Sequence, residues 1–176
     1  MRRHCKAFPL AAALAWALLA SSHARAYEDQ ASLDGALGYM LLLDADGDPH
    51  QGPTLDLGAG FGLYDLGILR ASAGYGALFA DGTLRHAGRL RVEAVYLLDV
   101  LQFVPFFGIG AALVVIEGSP HAELRPGGHL VFGVDYLLSR SWLLGLDLRS
   151  GALLDGGRAL SVTDVGLRVS RTFETF

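Results

Sequence analysis

From residue 33 onward the chain alternates with a period of two, and this limits what it can fold into more than any other feature. Eight segments carry apolar residues on one parity and small or charged residues on the other, the signature of strands rather than helices. In the first, Leu33, Leu37, Tyr39, Leu41 and Leu43 oppose Asp34, Ala36 and Gly38. In the second, Leu55, Leu57, Ala59, Phe61 and Leu63 oppose Asp56, Gly58, Gly60 and Gly62. The third sets Leu69 to Phe79 against Arg70, Ser72, Gly74 and Gly76, and the fourth sets Leu90 to Leu98 against Arg89, Arg91 and Glu93. The fifth sets Phe107 to Val115 against Gly108, Gly110 and Ala112, and the sixth sets Leu130 to Tyr136 against His129, Gly133 and Asp135. The seventh sets Trp142 to Leu148 against Gly145, Asp147 and Arg149. The last sets Val165, Leu167, Val169 and Phe173 against Asp164, Gly166, Arg168 and Ser170. Each segment runs for roughly 9 to 13 residues, which suits a tilted strand crossing a bilayer; strands of soluble domains are nearer 5 or 6.

Composition narrows the alternatives. The 176 residues are 52% hydrophobic and 18% charged, with 23 Gly and one Cys. Disorder, a disulfide scaffold and a Cys-rich zinc site are excluded. A net charge of −4 argues against a nucleic-acid partner. Residues 1–26 read as a cleavable export signal: Arg2, Arg3 and Lys6, then apolar Ala7 to Ala20, then a c-region ending Ala24-Arg25-Ala26. The remaining 27–176 form one domain with no Lys and no Cys, ten Arg against eighteen acids, and a formal charge of −8. The polar connections 44–52, 80–83, 117–126 and 152–159 alternate with tight ones at 64–67, 99–102 and 138–141. Long loops on one side and short turns on the other put both chain ends on the short-turn, periplasmic side of an outer-membrane barrel.

The parity fixes which face meets lipid, because an Arg at the bilayer midplane costs about 2–4 kcal/mol and a one-residue slip would expose every charge of a strand. The inward set is balanced: Asp34, Asp56, Glu93, Asp135, Asp147 and Asp164 against Arg70, Arg85, Arg89, Arg91, Arg149 and Arg168. Buried charges are tolerated when paired, so an interior ion-pair network is expected, with glycines leaving room for the Arg side chains. An eight-stranded barrel is just wide enough to be filled by side chains, so the network is read as a plug; the alternative is the lining of a narrow pore. Tyr64, Tyr96, Phe103, Phe106, Tyr136, Trp142 and Phe173 crowd the short-turn ends as an expected interfacial girdle. Arg171 and His86 fall on the lipid parity, Arg171 within reach of the headgroups by snorkelling. Ser161 and Thr163 fall outward and Val162 inward, which suggests a bulge near Thr163 or a strand top above the membrane. The stretch Phe103 to Ile116 is apolar on both faces.

Several stretches carry a resemblance: Val104-Pro105-Phe106-Phe107-Gly108-Ile109-Gly110; Gly133-Val134-Asp135-Tyr136 with Trp142-Leu143-Leu144-Gly145-Leu146-Asp147-Leu148-Arg149; and Gly166-Leu167-Arg168-Val169-Ser170-Arg171-Thr172-Phe173. With them the chain resembles the small eight-stranded bacterial outer-membrane barrels, the OmpA/OmpX-like and opacity-protein-like families. The resemblance implies an all-β, antiparallel, up-and-down transmembrane barrel. It also implies a terminal aromatic read by the barrel-assembly machinery: Phe176 is terminal, while Phe173 is in phase with Val169 and Leu167. The partners it implies are outer-membrane lipid and lipopolysaccharide, and an extracellular partner met through the loops.

Chemistry is sparse. The late His-x-Ser motif of lipid A deacylases is missing, and about six residues precede the first strand, too few for the amphipathic helix of palmitoyltransferase barrels. Loop pairs His50 with Asp48, and His121 with Ser119 and Glu123, are the candidates for a nucleophilic site. Asp44-x-Asp46-Gly47-Asp48 resembles half of a calcium loop but lacks the distal Glu of an EF-hand; the alternative is a solvated acidic loop. No cofactor is expected. The sequence therefore points to a non-enzymatic outer-membrane barrel with a structural or surface-interaction role. A narrow pore, a lipid-modifying enzyme and a soluble lipocalin-like barrel with apolar residues inside are the competing readings.

Overall fold

The computed structural model describes residues 30–174 except 45, 65, 81, 99–101 and 118–122. The expected export signal over 1–26, Phe176, and the candidate residues Ser119 and His121 lie outside the described residues.

Eight strands follow in chain order: β1 Gln30–Leu43, β2 Pro49–Tyr64, β3 Gly67–Ala80, β4 Thr83–Leu97, β5 Phe103–Ile116, β6 Glu123–Leu137, β7 Trp142–Asp155 and β8 Arg158–Glu174. Each pairs antiparallel with the next, and β1 closes onto β8, so the sheet is a barrel without an edge. Closure gives every strand two hydrogen-bonding neighbours, the condition for β-structure in a medium that offers no hydrogen bonds. The ladders are regular apart from a register shift between Gly62 and Tyr64.

The strands are 14 to 17 residues long, longer than the sequence pattern suggests. At ~3.3 Å per residue and a tilt near 40° they stand roughly 35–43 Å tall, more than the ~25 Å apolar band of such barrels. The extra length comes out of the connections. The far end has connections 44–48, 81–82, 117–122 and 156–157; the near end, where β1 begins at Gln30 and β8 finishes at Glu174, has 65–66, 98–102 and 138–141. The expected contrast between long loops and short turns is therefore absent. The stretch 152–159 is mostly strand and nearly half of 44–52 is, because Ala152–Asp155 pairs with β8 and Pro49–Gly52 pairs with β1. At the 156–157 hairpin both central residues are glycines with φ of 53° and 90°, the pair of positive angles that a tight two-residue hairpin requires.

Side chains alternate outward and inward along every strand. Leu33, Leu37, Leu57 and Ile109 are among the most exposed, at 60–67%, and the outward apolar belt runs around all eight strands. Soluble monomers seldom expose more than a few hundred Å² of contiguous apolar surface. The charged residues of the strands, Arg171 excepted, point the other way, which overturns the lipocalin-like alternative.

Two expectations need correction. Val162 lies inward, as its parity implies, within an unbroken ladder to β1 and β7, so the bulge near Thr163, one of the two explanations, is absent; Val162 packs against a buried apolar cluster. Phe106 does not join the exterior girdle either. It occupies an inward position on β5 and is 3% exposed, with the guanidiniums of Arg70 and Arg168 over its ring at 4.5 and 5.6 Å. The side chain of Tyr64 is outside the described set. Tyr96 and Phe107 form one tilted pair and Phe103 and Tyr136 another on the outside near that end.

Candidate functional site

The interior is the only place where the described residues concentrate buried charge. Its geometry rests on a rule of register. Two inward side chains on strands i and i+2 meet only if the inward residue of the strand between them is small, and at three places that residue is glycine. Asp56 and Arg89 flank Gly74. Glu93 and His129 flank Gly110. Asp135 and Arg168 flank Gly145. A Cβ on Gly74 would lie 2.9 Å from Arg89 Nε, one on Gly110 would lie 2.6 Å from His129 Nε2, and one on Gly145 would lie 3.0 Å from Arg168 Nη2. No real Cβ tolerates the first two approaches, so these glycines are the openings through which acid and base touch.

Toward the far end, two acids and two bases make a closed set. Arg89 forks onto Asp56, with Nε 2.8 Å from Oδ1 and Nη2 on Oδ2, while its Nη1 donates to Asp164. Arg91 bridges the same two acids, 2.8 Å from Asp56 and 3.3 Å from Asp164. Strands β2, β4 and β8 are thereby tied across the lumen.

A longer chain of contacts fills the rest. Arg149 Nε lies 2.6 Å from Glu93 Oε1, and His129 Nε2 lies 2.9 Å from the same oxygen. Arg149 Nη2 donates to Asp147 at 3.1 Å, and Arg168 Nε stands 3.3 Å from that same Asp147 oxygen. Arg168 also reaches Asp135 at 2.6 Å, Ser170 Oγ at 2.6 Å and Asp34 at 3.5 Å. Arg70 reaches Asp135 at 3.5 Å. Charge-assisted pairs of this kind are the strong ones, and burial makes leaving any of them unpaired costly.

Eleven of the twelve sequence-predicted interior residues thus come together. Arg85 does not. It is half-buried two residues into β4, next to the 81–82 turn, and pairs with no acid among the described residues. Its place in the network is taken by His129, which meets Glu93. The twofold alternation had placed His129 inward without giving it a partner; the Glu93–Gly110–His129 register is the signal that would have found it.

Above the charges, and below them on β3 to β6, inward positions turn apolar. Met40, Leu42, Leu78, Ala87, Val114, Ile116, Leu153 and Leu160 form a cluster at the far end. Val95, Leu97, Val104, Phe106 and Val131 form another toward the near end, with Ile68 and Leu137 against it. These caps explain why Phe103 to Ile116 is apolar on both faces: Val104, Phe106, Val114 and Ile116 face in. The internal voids are small. One of about 30 Å³ lies between Met40, Arg89, His129 and Arg149; another of about 20 Å³ touches Arg70, Asp135, Arg168 and Ser170. Each has room for one or two waters.

The loop candidates are not assembled. Asp44 Oδ1 accepts from the backbone N–H of Asp48 at 2.8 Å and of Asp46 at 3.0 Å. The Asp48 N–H, then the Asp46 N–H, hold the Asp44 carboxyl below its usual range, so this acid ties its own turn together. Among the described residues no group of three or more His, Cys, Asp or Glu is placed to hold a metal ion, and Asp46 and Asp48 stay exposed. His50 is not in a loop. It is the second residue of β2, buried in the far mouth with Nε2 3.6 Å from Asp44, not Asp48.

The closed eight-stranded ladder, the apolar outside and the charged inside decide the fold. This chain has the fold of the small eight-stranded outer-membrane barrels. Neisserial surface protein A is similar to it over 82% of this chain and 96% of that one, with a TM-score of 0.62 and 15% identity. OprG from Pseudomonas aeruginosa covers 85% and 98% with a TM-score of 0.62 and 11% identity. Ail, the attachment invasion locus protein of Yersinia pestis, covers 83% and 99% with a TM-score of 0.53 and 11% identity. No protein-family model matches the chain, and no curated protein matches it in sequence. At such identities the likeness is one of architecture.

Proposed function

We propose that residues 27–176 are a closed, non-conducting barrel of the bacterial outer membrane, exported by the 1–26 segment, with a structural role in the envelope. The observation that carries this is the filling of the lumen: an apolar cluster across the far end, then the ion-pair network, with a second apolar cluster on β3 to β6 toward the near end. Hydrated ions would have to break charge-assisted pairs and cross the apolar far end. The apolar belt suits lipid, and Phe173 or Phe176 serves as the signal to the assembly machinery. Both chain ends are periplasmic in this reading, and the far-end rim, with Arg125 between Glu123 and Asp155 at 2.5 and 3.0 Å, faces outward among lipopolysaccharide headgroups. Ail, which shares the architecture, is an attachment and invasion protein. Here the far-end connections reach at most six residues, 117–122, so a contact with an extracellular partner would use the rim itself. The test is conductance of the refolded protein in planar bilayers. The expected result is no channel steps at physiological salt; steady openings would replace the plug with a pore.

A further inference from the structure

We infer that Arg171 and Arg140 form a binding site for the phosphate of an acidic phospholipid, on the outer wall of the barrel at the end where β1 begins and β8 finishes. The inference rests on the membrane reading above and adds a ligand to it.

Within the eight strands, every described Asp, Glu and Arg lies on the inward parity except Arg171. That one exception is not at the midplane. It pairs across the ladder with Trp142, the first residue of β7, and with Leu33 on β1, at the level where the exterior aromatics gather. Its guanidinium lies over the Trp142 ring at 5.7 Å and the Phe173 ring at 5.1 Å. Cation–π contacts to two rings hold the charge in place while leaving its N–H edges unused. It is exposed and makes no ion pair with a described residue. The backbone of a second arginine is held beside this strand: Thr172 Oγ1 donates to the Arg140 carbonyl at 3.4 Å, and the Thr172 N–H donates to the Ser141 carbonyl at 3.0 Å. The turn that carries the exposed Arg140 is therefore pinned to the strand that carries Arg171.

The chemistry that answers this arrangement has a phosphate at headgroup depth and an acyl chain beneath it. Two guanidiniums match a phosphodiester better than ammonium groups would, because their paired N–H donors fit its oxygens. Directly below Arg171 on the same face, Val169 and Leu167 are exposed, a wall for the chain. A soluble anion would gain the charges but not the wall.

Trp142 is both part of the site and its reporter, since the other of the two Trp residues, Trp16, lies in the 1–26 segment. The protein lacking 1–26 is refolded into phosphatidylcholine vesicles containing brominated phosphatidylglycerol or, separately, brominated phosphatidylcholine, and quenching of Trp142 is measured. Phosphatidylglycerol is expected to occupy the site about fivefold more favourably than phosphatidylcholine, the factor that about 1 kcal/mol of attraction gives, carried mainly by Arg171. Arg171→Gln is expected to bring the ratio to about one, Arg140→Gln to reduce it by less, and Arg171→Lys to leave it between. Equal quenching by the two lipids in the parent protein would overturn the site, as would a preference that survives in the Arg171→Gln, Arg140→Gln double variant. Quenching by brominated phosphatidylcholine alone reports insertion, so failure of the lipid site is distinguishable from failure of the membrane reading.

Discussion

Asp147→Ala is expected to destabilise the folded barrel by about 3–5 kcal/mol, the cost of removing one partner from a buried, paired set. Asp147 is fully buried, at 0% exposure, and one of its oxygens receives both Arg149 and Arg168. It is the link between the Glu93 and Asp135 halves of the network. Its loss leaves two buried guanidiniums sharing fewer carboxylates. Asp147→Asn, which keeps an oxygen acceptor but no charge, is expected to fall between parent and Ala. Urea unfolding of the refolded protein in lipid vesicles, followed by Trp142 fluorescence, reads the difference. A loss under about 1 kcal/mol, the scale of exposed pairs, would mean the lumen is wet and the network screened.

The second large effect is on the opposite face. Leu57 is 67% exposed, in the middle of β2, between Gly35 and Ala73 on the neighbouring strands. Leu57→Arg is expected to cost about 2–4 kcal/mol in a bilayer, while Leu63→Arg, close to the 65–66 turn, costs about 0–1 because the charge escapes to the headgroups. The same unfolding assay measures both. Similar small losses at the two sites would place the outer wall of β2 in water, and the apolar belt would need another explanation.

The two faces were not equally legible in the sequence. The outward face was readable because its rule has no exceptions at mid-depth: Leu57, Leu167 and Ile109 face outward, and Asp56, Arg168 and Gly110 face in. Strand ends were misjudged because composition there follows a different constraint. Pro49 and the Gly156-Gly157 pair look like loop residues, yet a proline is tolerated as the first residue of a strand and two glycines make the shortest hairpin. The apolar caps were missed because Met40 and Leu78 lie on the parity that carries Asp34 and Arg70 in the same strands, and Val114 lies in a strand that is apolar on both faces. Phe106 was assigned outward for the same reason, since an aromatic near a strand end fits a girdle equally well. What picks out the caps is inward position combined with distance from mid-strand. The ion-pair partners needed one step more than parity. Acid and base two strands apart, with glycine at the register position between them, identify Asp56–Arg89, Glu93–His129 and Asp135–Arg168, and that requires the strand register, which one sequence does not state.

Membrane fractionation with gel mobility before and after boiling tests the central claim most directly. A closed barrel in the outer membrane is expected in the outer-membrane fraction, migrating as a compact band that shifts on boiling as the ladder between β1 and β8 is lost. Recovery in the soluble periplasm, with one mobility before and after heating, would contradict the account.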